Sequence, residues 1–153
     1  MKPPIPASEA SESTRAWWSC PGFIYFLAAG RNPHKAIKIG MAAITAKQDL
    51  RSAVVRRLAQ IQSSNHELIE LLGVIHFKLG EFEFPTREAD AQERLLHLEF
   101  RHLQRFKSYV RGAEWFNPSD ELYARINAVA ARPDSLGLPR TVSSVASVDD
   151  GQG

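Results

Sequence analysis

Glu93 and His97 lie four residues apart in a stretch whose apolar side chains recur at helical spacing. Ala89, Leu96, Phe100 and Leu103 form the apolar stripe, and on a helical wheel Glu93 falls inside it. A leucine buried at that position contributes roughly 1.5–3 kcal/mol. An unpaired buried carboxylate instead costs several kcal/mol. Glu93 must therefore be paired with an arginine such as Arg57, protonated, open to water at the core's edge, or bound to a cation. His97, one turn on, is either a satisfied core histidine or a group that orients a ligand shell or moves a proton.

Two more residues carry polar chemistry where a core needs none. Tyr25 and Lys38 each interrupt a short apolar run, Gly22 to Leu27 and Ala36 to Gly40. A phenol near its ordinary pKa of about 10 is a poor base at neutral pH and needs a neighbouring cation to lower it. Otherwise Tyr25 is a core aromatic and Lys38 an edge-strand charge. Gly40 ends the second run, where backbone can approach a phosphate closely. Arg57 lies beside the apolar stripe of its helix, placed either to clamp a phosphate bidentately or to cover apolar surface with its stem. Arg56 points away, as a solvated charge or a DNA-backbone contact. Lys47, Arg51, Arg101, Arg105, Lys107 and Arg111 stand near helix ends and could track a nucleic-acid backbone. His34, His66, His76 and His102 have no ligand spacing, and no Ser/His/Asp arrangement stands out.

The elements that must position these groups can be read from periodicity and breakers. Residues 23–29 and 35–40 read as two strands around a loop holding Gly30, Asn32 and Pro33. Leu50, Val54, Leu58 and Ile61 define a helix over 49–62 with Asp49 as cap or first-turn acid. Residues 68–77 form a third strand, and 81–84 could add a short one. A longer helix is expected over 86–107, a turn back at 111–116, and a last helix over 118–131. The fold class is α+β, a three-stranded, mostly antiparallel sheet flanked by helices in the order β-β-α-β-α-α. Residues 1–20 are expected as a flexible arm, 21–131 as the domain, and 132–153 as a disordered tail. Trp17 and Trp18 either pack on the domain edge or stack on bases.

Composition bounds the function classes. The chain has 153 residues, 44% of them hydrophobic, which suits one domain with a real core. A net charge of +2 permits nucleic acid as a partner without demanding it. The single cysteine, Cys20, can form neither an internal disulfide nor a structural zinc site, which favours a reducing cytoplasm. No signal peptide or membrane-spanning run is expected.

Phe23-Ile24-Tyr25 and Lys38-Ile39-Gly40 resemble the paired strand motifs of the GIY-YIG endonuclease superfamily. The lysine at 38 is similar to the branch found in phage and bacterial open reading frames and in the meiotically up-regulated gene family. Arg57-Leu58-x-x-Ile61-Gln62 resembles the family's first-helix arginine motif. Glu93-x-x-x-His97-x-x-Phe100 resembles the branch's Glu-x-x-x-His-x-x-Phe run. Gly112-Ala113-Glu114-Trp115-Phe116 is similar to its Gly-Glu-Trp-Phe close, with Ala113 inserted. The resemblance covers about residues 22–117.

It implies a DNA endonuclease with one divalent metal, Mg²⁺ or Mn²⁺, at Glu93. Magnesium needs only one or two carboxylates plus water and substrate phosphate, so a lone glutamate suffices. Tyr25 would touch the attacking water, Arg57 would stabilise charge on the phosphoryl oxygens, and Lys38 would bind phosphate in place of the second tyrosine. Sequence specificity would be low or supplied by a protein partner. The alternative is a nucleic-acid-binding module of the same fold with weak or no catalysis, for which Lys38 and Ala113 speak. A third reading is a protein-interaction domain using Trp17, Trp18 and the chain ends.

Overall fold

The computed structural model describes residues 5–105 and 114–142. Strand β1 (Gly22–Ala29) is buried along its whole length, as expected of a run apolar on both faces. It pairs antiparallel with β2 (Ala36–Ala43) on one side and with β3 (Ile69–Phe77) on the other. A bulge between Phe26 and Leu27 shifts the β1–β3 register, so that Phe26 faces Gly73 and Leu27 faces Leu71. Period two sends the two sides of β1 into two cores. Phe23, Tyr25 and Leu27 pack with Val54 and Leu58 of helix α2 (Leu50–Ser63). Ile24, Phe26 and Ala28 pack against helix α3 (Pro85–Glu99) and helix α4 (Asp120–Val129).

Among the described residues the sheet has four strands, in the order β3-β1-β2-β4, where β4 is Trp115–Phe116. This corrects the expected three. Two residues are too short for an alternation to show, yet Ile37 pairs with Phe116 and Lys38 with Trp115. The expected long helix over 86–107 stops at Glu99. A 3-10 turn over Arg101–Leu103 follows, and residues 103–105 bond instead to the β4 segment through Asn117 N to Leu103 O and Arg105 N to Trp115 O. A continued helix would leave those strand groups without partners. Lys107, Arg111 and Ala113 lie outside the described residues.

Both expected chain ends carry structure where they are described. Helix α1 (Glu12–Ser19) is capped by Ser11, whose side chain accepts from Thr14 N–H. Trp18 stacks edge-on against Phe84 and lies under the Arg87 guanidinium, 4.4 Å from ring centre to guanidinium carbon. Beyond α4 the chain runs beside β3. Val74 and Ala131 exchange backbone bonds, Arg140 O accepts from Leu71 N–H, and Leu138 is buried. These contacts satisfy an edge strand that composition did not reveal as exposed. No helix among the described residues is long and apolar enough to cross a membrane.

Candidate active site

Tyr25 sits mid-strand on β1, directly opposite Gly40 of β2. A Cβ built on Gly40 would lie 2.4 Å from the phenol carbon and oxygen of Tyr25. The missing side chain at 40 is therefore the seat of the phenol. The glycine was expected to admit a phosphate; what occupies that space is the tyrosine ring. Only 4% of Tyr25 is exposed, yet its hydroxyl has no hydrogen-bond partner among the described residues and is not sealed from solvent. Burial pushes the phenol up to about 12, with Arg57 opposing and Glu93 and Glu114 adding to the rise. The cation acting on Tyr25 is thus Arg57, and the hydroxyl stays protonated at neutral pH.

Arg57 reaches that position because α2 is anchored at its start. Asp49 and Ser52 form a reciprocal capping box, and Ala53, Val54 and Leu58 bury the inner face. Arg57 and Tyr25 both line a narrow gap of about 10 Å³ between α2 and β1. Arg57 forms no ion pair with any described side chain, Glu93 included. A half-buried guanidinium without an acid partner is a standing site for an anion.

Glu93 lies half-buried on α3. Burial raises its carboxyl to about 7, helped by Asp90 and Glu114 and opposed by Lys38 and Arg94. Arg94 is engaged by Asp90 at 3.0 Å, one turn back on the same helix. Among the described residues, no group of three or more acids, histidines or cysteines could hold a metal ion. The donor set therefore does not fit a caged zinc. A desolvated carboxylate crowded by two others suits a hard cation that keeps water and takes its remaining oxygens from substrate.

Lys38 emerges from β2 with only 13% of its side chain exposed. Its ammonium is satisfied by Glu114, 3.4 Å away, and by the Trp115 ring, 5.5 Å from Nζ to centroid. Burial pushes Glu114 up, but Lys38, the residue's own backbone and His97 outweigh it and hold the carboxyl below the ordinary range. His97 is half-buried. One ring nitrogen, Nε2, donates to the carbonyl of Ile39 at 2.9 Å, and the ring meets Phe116 edge-on at 5.3 Å. Since a carbonyl only accepts, the proton sits on Nε2, and His97 ties α3 to the β2 edge.

Tyr25, Lys38, Gly40, Arg57, Glu93 and His97 are thus gathered around the middle of β2. Lys47 and Arg51 are exposed on either side of the α2 cap, and Arg56 is exposed on α2 itself. Arg105 goes elsewhere. Its guanidinium bonds Lys35 O at 2.8 Å and Asn117 Oδ1 at 3.2 Å, beside the start of β2. Arg101 is exposed in the turn after α3. Two acids went unassigned in the sequence reading. Asp90, at i−3 from Glu93, shares its helix face and was findable by spacing. Glu114, read only as part of the Glu-Trp-Phe close, is brought in beside β4 and pairs with Lys38.

A family model described as the T5orf172 domain matches residues 22–132. No curated protein and no solved structure matches the chain.

Proposed function

We propose that this chain, which belongs to the T5orf172 domain family of GIY-YIG-related domains, is a metal-dependent endonuclease hydrolysing phosphodiester bonds in DNA. The lysine at 38 speaks for the Lys-Ile-Gly branch of that superfamily. One observation carries the reading. The phenol hydroxyl of Tyr25 and the guanidinium of Arg57, neither of them bonded among the described residues, lie within electrostatic reach of each other and of the desolvated carboxylate of Glu93.

Glu93 would hold the Mg²⁺ or Mn²⁺. When bound, that ion supplies Lewis-acid charge to a phosphoryl oxygen and to the leaving oxygen. The chain's own groups do the rest. Tyr25, protonated, orients the attacking water through its hydroxyl rather than acting as a phenolate base, and the proton that the water gives up on attack passes to bulk solvent. Arg57 meets the equatorial phosphoryl oxygens, where negative charge grows during in-line displacement. Lys38 fixes Glu114, and with it the field at Glu93. His97 holds α3, and so Glu93, at its distance from β2. The exposed cations Lys47, Arg51, Arg56 and Arg101 supply salt-dependent attraction for the DNA backbone. A protein partner would add sequence specificity.

A second reading rests on the Lys38–Glu114 pair, which occupies the ammonium that would otherwise meet phosphate. On that reading the domain binds DNA without cutting it. Nicking of supercoiled plasmid separates the two. Nicking in Mg²⁺ or Mn²⁺ that stops in EDTA is the expected result. Salt-sensitive binding with no nicking in either metal establishes the binding module instead.

A further inference from the structure

We infer that the cleft between the end of β2 and α2 is a second phosphodiester subsite, taking a phosphate that flanks the scissile one on the same strand. The inference rests on the endonuclease reading and adds to it residues outside the reacting centre. The cleft has a volume of about 290 Å³. It is open because alanines, among them Ala53, line it where larger side chains would fill it. Its polar lining includes Gln48, Arg56, Arg57 and Gln60.

Gln48 is the informative residue. Its carboxamide oxygen accepts from both Thr45 N–H, at 3.3 Å, and Thr45 Oγ1, at 3.1 Å. A backbone N–H can only donate, so this oxygen is fixed toward Thr45 and the amide nitrogen, with two hydrogens, faces away. That nitrogen has no acceptor among the described residues. Arg56 lines the same cleft and has no acid partner there. Gln60 stands one turn on from Arg56. Arg57 lines both this cleft and the gap beside Tyr25, so one residue borders both spaces. Among the described residues, no acid lines the cleft. Donors from a fixed amide and two guanidiniums, with no competing carboxylate, match the oxygens of a phosphodiester.

The test is DNA binding by fluorescence anisotropy in EDTA, across a salt series, for the wild-type chain, Gln48→Glu and Arg56→Gln. Gln48→Glu is nearly isosteric and keeps an oxygen for Thr45, so the loop is preserved while the donors are replaced by a second carboxylate oxygen. Thermal melts check that both variants fold. The expected result is about tenfold or greater weakening by Gln48→Glu. For Arg56→Gln, the slope of log affinity against log salt should shrink by about 1. If the wild type binds DNA and both folded variants match it in affinity and slope, the subsite is wrong and the endonuclease reading stands. If the wild-type chain itself shows no salt-dependent DNA binding, the underlying reading falls and takes the subsite with it.

Discussion

At Glu93, burial and two neighbouring carboxylates act in one direction, and the consequence is a pH dependence of definite sign. The folded carboxyl titrates at about 7 against an ordinary 4.5. Between those values the folded chain keeps a proton that the unfolded chain has lost. Stability therefore falls as pH rises through that window and stays low above it. Glu93→Gln, which keeps the shape and removes the charge, should raise Tm in EDTA at pH 8 and change it little near pH 4.5. Equal Tm shifts at both pH values would show that Glu93 is not the strained acid. Tyr25 behaves differently. Its phenol is raised to about 12 and makes no bond that the fold needs, so Tyr25→Phe should melt close to the wild type while plasmid nicking falls by roughly 10²-fold or more. Glu93 could be found in the sequence because a helical wheel shows an acid inside an apolar stripe. Glu114 was legible only as part of the Glu-Trp-Phe close and not as a partner of Lys38 and Glu93, which reach it only through space. Gly40 and Tyr25 were each legible as special positions, but that the phenol fills the space at Gly40 depends on the β1–β2 register, which neither run shows alone.

Among the elements, α3 matters most, since it carries both Glu93 and His97. Its start is fixed by Thr86, fully buried, whose hydroxyl donates to Cys20 O at 2.7 Å and whose backbone N–H bonds the same carbonyl. Thr86→Val removes the donor and leaves the hydroxyl's share of buried carbonyls short of a partner. It should cost about 1–3 kcal/mol in denaturant unfolding. A loss below about 0.5 kcal/mol would mean that α3 is held by its apolar face alone. Periodicity revealed α2, α3 and α4 because each has a stripe several turns long. It overran the end of α3, since Phe100 and Leu103 continue the apolar spacing after the backbone has turned toward β4. It missed β4 altogether, because pairing there is a matter of backbone bonds to Ile37 and Lys38 rather than of side-chain pattern. The segment after α4 was hidden for the same reason: its hold on β3 comes through main-chain groups at Ala131 and Arg140.

For the whole molecule, a net charge of +2 understates how the charges are divided. Asp90 and Glu114 act on Glu93, and Glu93 and Glu114 act on Tyr25, while Arg56 and Arg57 line the cleft between β2 and α2. A phosphate drawn to the arginines meets acid repulsion at Glu93 unless a cation stands between them. Metal and DNA should therefore bind cooperatively, and the removal of one acid charge should uncouple them. The most direct measurement is single-turnover nicking of supercoiled plasmid in Mg²⁺ and in Mn²⁺ by the wild-type chain and by Glu93→Gln, at protein concentrations where both hold the DNA equally. The expected result is metal-dependent nicking by the wild type and a loss of 10²-fold or more in the variant, with DNA binding in EDTA equal to or tighter than that of the wild type. Nicking by Glu93→Gln at the wild-type rate would contradict a metal centre at Glu93 and with it the chemistry proposed for this site.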